Sequence, residues 1–191
     1  MKKLNFLPLL ASTLLSVSIS VAQKDSSSIC KTADDFQQRN LSNAINYKTQ
    51  NQRHPAFNSG EIKIKHDGET YTLLKNETYG FRSTTGEEFR FVDNKEYKIL
   101  NPGEALLIYV YKHPAHSGKE AEKYASMYFF STNASAAPQS LTKANLKATF
   151  PDNDKFHDAL VAQCKSDKEL YAYEKFHKMY KLNGIMKNNM N

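Results

Sequence analysis

The order of the hydrophobic periods along this chain constrains its fold more than any other feature. Between residues 61 and 130, apolar and polar residues alternate over short segments that turn residues separate. After residue 140 the apolar residues recur at helical spacing instead. Strands followed by helices, rather than alternating with them, indicate an antiparallel sheet packed against helices. We therefore predict an α+β fold, an antiparallel β-meander or open barrel of about six to seven strands packed against C-terminal helices, with a short N-terminal helix.

Turns rich in Gly, Asp, Asn and Pro place the predicted strands. They lie at residues 67–68, 84–86, 93–94 and 101–103, and each divides two segments of high strand propensity. The last two segments are apolar on both faces, so we expect them to be the most covered. The predicted strands are residues 62–65, 71–73, 79–82, 88–92, 96–100, 106–111 and 124–130.

Capping residues place the predicted helices. Thr32 is suited to cap the N-terminal helix over residues 33–45, and Ser140 to cap a helix that ends before Pro151. A further helix is expected over residues 153–164.

The clearest helical pattern lies near the C-terminus. Ser166 and Glu169 have capping-box spacing, and Asn183-Gly184 is a typical helix stop. The apolar residues between them recur at helical spacing, at Leu170, Tyr173, Phe176 and Tyr180.

The N-terminus has the layout of a cleavable export signal. Lys2 and Lys3 precede an uncharged, largely apolar stretch over residues 4–21, and Ser20 and Ala22 put small residues at the cleavage positions. Interrupting serines and threonines argue against a retained membrane helix. The sequence therefore predicts export to the periplasm or the medium.

This signal divides the chain into two parts. Residues 1–22 are the predicted signal peptide, and residues 23–191 a single α+β domain with flexible ends. No stretch after the signal is apolar for long enough to cross a membrane, so we expect no transmembrane span after cleavage.

The charge of the chain excludes one class of partner. The formal net charge is +6, and loss of the two signal lysines leaves +4, spread without a basic tract. Nucleic-acid binding usually shows clustered Lys and Arg or a known motif. We therefore expect no nucleic-acid partner, and instead a partner or ligand in the envelope or outside the cell.

Cys30 and Cys164 are the only cysteines. An oxidising compartment would favour their pairing, and a disulfide closing so long a loop would stabilise the domain by about 4 to 5 kcal/mol. We predict this bond; the alternative is two buried thiols that do not meet.

Catalytic motifs are weak in this chain. Ser140 and Lys143 match the first element of penicillin-recognising serine enzymes, but the Lys-Thr-Gly element is absent. We interpret Ser140 as a helix cap and Lys143 as a solvated helix residue. We predict no catalytic residue and no cofactor.

The histidines permit two further sites. His113 and His116, with a glutamate in the same loop, have the residue types of a zinc site. His157 lies at helical spacing beside Asp154 and Asp158, as a carboxylate-oriented base would. We interpret the first pair as part of a strand connection and the second group as a solvated helix face, so we predict no metal.

Tyrosines concentrate in the strand region. Aromatic platforms can bind sugars and peptides, but tyrosine is also a common strand residue, and we favour core and cross-strand packing. These tyrosines are Tyr71, Tyr79, Tyr97, Tyr109, Tyr111, Tyr124 and Tyr128.

Several sequence blocks resemble those of a family of small exported bacterial proteins without an established activity. The resemblance covers about residues 30–182 and implies a shared domain, but it carries over no functional residue. The blocks are Tyr79-Gly80-Phe81-Arg82, Gly86, Phe89-Arg90-Phe91, Tyr97-Lys98-Ile99-Leu100, Phe150-Pro151-Asp152-Asn153 and Lys155-Phe156-His157-Asp158.

Two functions fit these observations. The favoured one is a non-enzymatic binding or interaction domain of the envelope or secretome, which presents its sheet or an adjacent groove to a partner. The alternative is a small hydrolase whose site is assembled from distant residues such as His113, His116 or His157 with a carboxylate. A pocket where such a pair converges would favour the enzyme, and an exposed apolar patch would favour the binding domain.

Overall fold

A computed structural model describes residues 27–40, 42–45, 60–66, 69–83, 85–111 and 126–190. Its strands are β1 (Ser27–Cys30), β2 (Ser42–Ile45), β3 (Glu61–His66), β4 (Glu69–Leu74), β5 (Gly80–Arg82), β6 (Glu88–Val92), β7 (Lys95–Ile99), β8 (Leu107–Tyr111), β9 (Met127–Ser131), β10 (Gln139–Ser140), β11 (Tyr173–Glu174) and β12 (Met179–Tyr180). The helices are α1 (Ala33–Gln37), α2 (Lys143–Thr149), α3 (Asp154–Gln163) and α4 (Lys181–Asn189).

Eight of the strands form one antiparallel sheet in the order β10-β9-β8-β7-β6-β5-β1-β2. The run from β5 to β10 follows the chain order, which is a meander, and β10 and β2 form the two edges. Strands β3 and β4, and strands β11 and β12, make two separate hairpins. The predicted α+β class, with an antiparallel sheet against C-terminal helices, is confirmed.

One face of the sheet, which we call the helix face, packs against the C-terminal helices. Side chains alternate between faces along a strand, so Ile108 of β8 and its partner Phe130 of β9 point to the same side. Both are completely buried. They share one cluster with Leu106, Leu141, Leu146, Phe156, Leu160, Cys164, Leu170, Leu182 and Ile185.

The hairpin of β3 and β4 covers another part of the helix face. Ile62 packs with Ile29 of β1 and Phe91 of β6, and Leu73 lies against this cluster. The predicted hairpin is therefore confirmed, while its turn at residues 67–68 lies outside the described residues.

The opposite side of the sheet, which we call the tyrosine face, is covered differently. Its buried residues are Cys30, Tyr97, Ile99, Leu107, Tyr109 and Tyr111, against which Phe36 of α1 and Ala134 pack. Strand β8 is buried at every position, as expected, but β9 is buried only at Phe130 and Ser131.

The N-terminal helix is shorter than predicted. Thr32 forms the expected cap, with a capping box to Asp35, but α1 ends at Gln37. The prediction of a helix to residue 45 was wrong because Arg39 takes a left-handed conformation, with φ 57°. The chain then turns back, and β2 pairs with β1.

The helix after β10 is capped by a different residue from the predicted one. Ser140 lies in β10, and the Thr142 hydroxyl accepts from the Asn145 amide at the start of α2. The next helix, α3, is close to the prediction and has Asn153 as its cap.

The predicted helix from Ser166 to Asn183-Gly184 was wrong. Residues 167–169 form one short 3-10 turn, for which the Ser166 side chain makes no capping bond. Tyr173 and Tyr180 then face each other across the β11–β12 hairpin. The spacing of Tyr173 and Tyr180 fits a helix as well as the two ends of a short hairpin. Strand pairing, which local periodicity does not show, decides between the two.

A buried hydrogen-bond network explains why α4 runs through the predicted stop. Asn183 is 5% exposed. Its Oδ1 accepts from Asn101 Nδ2 at 2.9 Å, and its Nδ2 donates to the Leu106 carbonyl at 3.1 Å. Because Asn183 fixes the helix to the sheet, the Asn-Gly pair here is helix interior.

The predicted disulfide is not formed in the structure, where Cys30 and Cys164 are both buried free thiols. Cys30 pairs with Gly80 in the sheet and packs on the tyrosine face, whereas Cys164 packs against the helix face. Bonded cysteines have Cβ atoms about 4 Å apart. The sheet itself lies between these two thiols, and this separates them.

Within the described part of the chain, no helix has the length and apolar character that crossing a membrane requires. The predicted signal peptide, residues 1–22, lies outside the described residues.

Candidate functional site

The tyrosine face contains two buried charged side chains. Glu88 and Arg90 of β6 are each 7% exposed. They are two residues apart on a strand, so both point to the same face, opposite Ile99 and Tyr97 of β7. Burying a charge is costly unless other groups compensate it. The contacts of these two residues therefore define the candidate site.

Arg90 is held by carbonyl oxygens and aromatic rings. Its Nη1 donates to the Tyr109 hydroxyl at 3.0 Å and to the Ala136 carbonyl at 2.8 Å. Its guanidinium carbon lies 5.1 Å from the Tyr79 ring centre and 5.9 Å from that of Tyr109, within cation–π range. The buried Nε of Arg90 has no hydrogen-bond partner.

From Arg90 a chain of hydrogen bonds leads into the loop after β9. The Ser131 hydroxyl donates to the Asn133 carbonyl at 2.6 Å and lies 2.8 Å from the Tyr109 hydroxyl. Tyr109 therefore accepts from Arg90 and donates to Ser131. The Asn133 side chain accepts from two backbone N–H groups of the same loop. Together these bonds fix the loop to the sheet.

Glu88 is paired with a residue from α1's C-terminal side. Arg39 Nη1 donates to Glu88 Oε1 at 2.6 Å, and Arg39 Nη2 donates to the Pro102 carbonyl at 2.8 Å. Arg82 Nε lies 4.0 Å from the same carboxylate oxygen. The other oxygen, Oε2, is buried and has no hydrogen-bond partner. Arg39 thus connects the end of α1 to the sheet and to the turn after β7.

A cleft of about 370 Å³ lies beside this arginine. It opens between α1, the turn after β7 and the loop after β9. Phe36, Leu107 and Ala134 are among its apolar lining residues, and Arg39 and Asn133 among its polar ones. Such a combination of apolar walls and a few fixed polar groups is typical of ligand sites.

Burial disfavours ionisation of a thiol and a phenol that pack against Phe36 of the cleft. It raises the pKa of the Cys30 thiol to about 11, with smaller contributions from the Glu88 and Asp35 carboxylates. Burial also raises the pKa of the Tyr79 hydroxyl, as does the nearby Tyr109. At neutral pH neither group is ionised, so neither is an activated nucleophile.

The structure does not bring Ser140 and Lys143 together as a catalytic pair. The Ser140 carbonyl accepts from the Asn145 side chain. Lys143 Nζ donates to the carbonyls of Cys164 and Lys165, at 3.0 and 3.3 Å. Lys143 therefore caps the end of α3, where a cation is favoured, rather than being only a solvated residue.

The histidine hypotheses have different outcomes. His157 Nε2 lies 2.8 Å from the Phe150 carbonyl, so it joins the end of α2 to α3, while Asp154 and Asp158 are exposed. His113 and His116 lie outside the described residues. Among the residues that the structure describes, no group of three or more His, Cys, Asp or Glu could hold a metal ion.

Most of the described strand tyrosines are packing residues. Tyr97, Tyr109 and Tyr111 are buried on the tyrosine face. Tyr128 stacks on Tyr171 with ring centres 3.5 Å apart. No exposed aromatic platform forms from these residues, as the packing interpretation predicts.

Arg39, Glu88 and Arg90 were not among the site residues predicted from the sequence. In β6, charged residues alternate with Phe89 and Phe91, a pattern that normally marks one solvated face. One feature indicates that this face of β6 is covered. Tyr97 and Tyr109, on the next two strands, put aromatic residues on the same face as the charges.

Comparisons with protein-family models, with curated proteins and with solved structures found no match to this chain.

Proposed function

We propose that the chain is an exported, non-enzymatic binding protein of the envelope or secretome, and that its ligand site is the cleft beside α1. The observation that carries this proposal is the construction of Arg39. A left-handed arginine is uncommon, and this one is held at the cleft between Glu88 and the Pro102 carbonyl. Strained residues fixed by their surroundings cluster at functional sites.

The lining of the cleft indicates the class of ligand. Phe36, Leu107 and Ala134 would contact an apolar body, and Arg39 and Asn133 would bind a polar group at its edge. The volume lies at the small end of the range for ligand pockets, about 300 to 1,000 Å³. A small molecule, or a single side chain of a peptide, fits this space.

Export is supported by the N-terminal sequence. The two lysines, the uncharged apolar stretch and the small residues before Gln23 have the order of a signal peptide. The resemblance to small exported bacterial proteins agrees with this proposal and stays a prediction.

Filling the cleft tests the binding proposal. Gly103 lines the cleft, and a Cβ added there would meet no heavy atom within 4 Å. Gly103→Trp should therefore cause no backbone clash and place an indole ring at the edge of the cleft, where it hinders ligand binding. The matched control is Ala162→Trp, at an exposed position of α3. The probe is a library of small aromatic and aliphatic carboxylates and amides. Binding is measured by the NMR chemical shifts of the protein's backbone amides.

Fragments that shift the amides of Leu107 and Ala134 in the unsubstituted protein should bind Gly103→Trp at least about tenfold more weakly. Their affinity for Ala162→Trp should be unchanged. Equal binding to Gly103→Trp, or fragment shifts confined to other parts of the protein, would refute the cleft as the ligand site.

A further inference from the structure

The β11–β12 hairpin has a rigid base and a projecting tip. At its base, Leu182 N–H donates to the Leu170 carbonyl at 3.2 Å, and both side chains are completely buried. Tyr173 and Tyr180 then pair across the strands with ring centres 5.2 Å apart. Residues 175–178 form the tip. Because Leu170 and Leu182 belong to the buried cluster of the helix face, that cluster fixes the base of the hairpin.

Phe176 at this tip is 92% exposed, the most exposed large hydrophobic side chain in the described part of the chain. Single exposed apolar residues are common, but a nearly bare phenylalanine at the extremity of a fixed hairpin is not explained by packing. Among the described residues, the Phe176 ring contacts the ring of the adjacent His177, with ring centres 5.1 Å apart. Tyr173, half exposed, adds aromatic surface beside it.

The residues around Phe176 are cationic. Lys175 precedes it and Lys178 follows it, and both are exposed. The acidic residue of the hairpin, Glu174, is bonded to His177 at 3.0 Å. Lys178 takes a left-handed conformation, with φ 53°, which bends the tip tightly. The hairpin therefore carries an exposed aromatic ring flanked along the chain by two lysines, and with Glu174 its formal charge is +1.

We propose that this tip docks the protein on an anionic lipid bilayer, with Phe176 inserted at the headgroup level and both lysines against lipid phosphates. An aromatic ring combined with flanking lysines matches such a surface in polarity and in charge. A protein partner fits less well, because a stable interface needs about 800 Å² per side and a tip of a few residues offers far less. A bilayer requires no matching pocket.

The absence of tryptophan from the chain gives a direct test. Phe176→Trp introduces a single fluorophore at the tip, and Val161→Trp, at a position of α3 that is 58% exposed, is the matched control. Both variants are purified from the producing cell, and their mass is first measured to show that the signal is removed. The probes are vesicles of phosphatidylcholine, with and without phosphatidylglycerol.

Vesicles that contain phosphatidylglycerol should shift the emission of Phe176→Trp to shorter wavelength and protect it from iodide quenching. Val161→Trp should remain solvent-exposed. In vesicle sedimentation of the protein without tryptophan, Phe176→Ser should weaken binding at least about tenfold. Replacing both Lys175 with Gln and Lys178 with Asn should weaken it about 25-fold, at about fivefold per lysine.

Three outcomes would overturn the proposal. One is no emission shift with anionic vesicles, and another is vesicle binding that Phe176→Ser leaves unchanged. The third is an emission shift that follows protein concentration or an added envelope protein instead of lipid, which would assign the tip to a protein partner. None of these measurements depends on the cleft, so the two proposals can fail separately.

Discussion

The two faces of the central sheet are buried by different means. On the helix face, apolar side chains such as Phe130, Phe156 and Leu160 are completely buried against one another. On the tyrosine face, burial includes the charges of Glu88 and Arg90 and several polar atoms without a hydrogen-bond partner, among them Glu88 Oε2, Arg90 Nε and Tyr79 Oη. The first arrangement maximises the hydrophobic stabilisation, and the second lowers it.

This difference indicates that the two faces have different roles. A buried charge held by several hydrogen bonds adds little net stability, but it fixes the groups that it contacts. Here those groups are the loop after β9 and the end of α1, which form walls of the cleft. We infer that the helix face supplies most of the folding free energy, and that the tyrosine face positions the ligand site.

Adjacent phenylalanines of β9 give the largest expected effect. Phe130 is completely buried on the helix face, whereas Phe129 is partly buried on the tyrosine face. Phe130→Ala should lower the free energy of unfolding by about 4 kcal/mol, because it removes a core ring and leaves a cavity. Phe129→Ala should cost about half of that. Urea unfolding measures both losses in free energy, and the m-value serves as a check on the unfolding transition.

Similar losses for the two variants would show that both faces contribute equally to stability. A larger loss for Phe129→Ala would reverse the assignment of roles. The two residues have the same side chain and neighbouring positions on one strand, and the expected factor of two already includes the lower burial of Phe129.

Replacing the buried arginine should have a smaller effect on stability and a specific effect on the loop. Arg90→Met keeps most of the side-chain volume but removes the donors to Tyr109 and to the carbonyls of Ala136 and Ser135. Such a loss costs about 1 to 3 kcal/mol. Hydrogen exchange at the Ser135 and Ala136 amides should become faster, because their loop loses its attachment to the sheet.

Arg82→Met is the control for charge. Arg82 lies 4.0 Å from Glu88 with its side chain 42% exposed. Exposed ion pairs contribute at most about 1 kcal/mol, so this variant should change stability little and leave exchange in the loop unaltered. If exchange at Ser135 and Ala136 stays the same in Arg90→Met, then Arg90 does not fix the loop and its burial has another cause.

The elements that the sequence predicted well are those that local signals determine. The Asp93-Asn94 turn is an example, since both residues have positive φ, at 50° and 61°, and join two strands in register. The prediction of the C-terminal helix was wrong because the location of this helix depends on a long-range contact. Asn183 bonds to Asn101, a residue 82 positions earlier, and no local pattern reports this pairing.

The candidate site was largely hidden from the sequence for the same reason. Arg39, Glu88 and Arg90 are unremarkable as single residues in the chain. The burial of Glu88 and Arg90 becomes evident only when α1 and the loop after β9 cover the tyrosine face, with the half-exposed Arg39 at its edge. Sequence periodicity shows which side chains share a face, but not what covers that face.

The smallest expected effect concerns the two cysteines, which lie on opposite faces of the sheet. Because the sheet lies between Cys30 and Cys164, intact mass of the protein from the producing cell should be the same before and after reduction, with a chain that begins at Gln23. Reduction should change the free energy of unfolding by less than about 0.5 kcal/mol, whereas a disulfide would contribute about 4 to 5 kcal/mol.

Alkylation of the native protein provides the pH dependence. Burial holds the pKa of Cys30 at about 11, so about one thiol in a thousand is ionised at pH 8 and labelling is slow. Between pH 8 and 10 the thiolate fraction, and with it the labelling rate, should rise about tenfold per unit. A mass about 2 Da lower before reduction would instead reveal a disulfide. The two cysteines would then have to lie on the same side of the sheet, and the division of the core into two independent faces would be wrong.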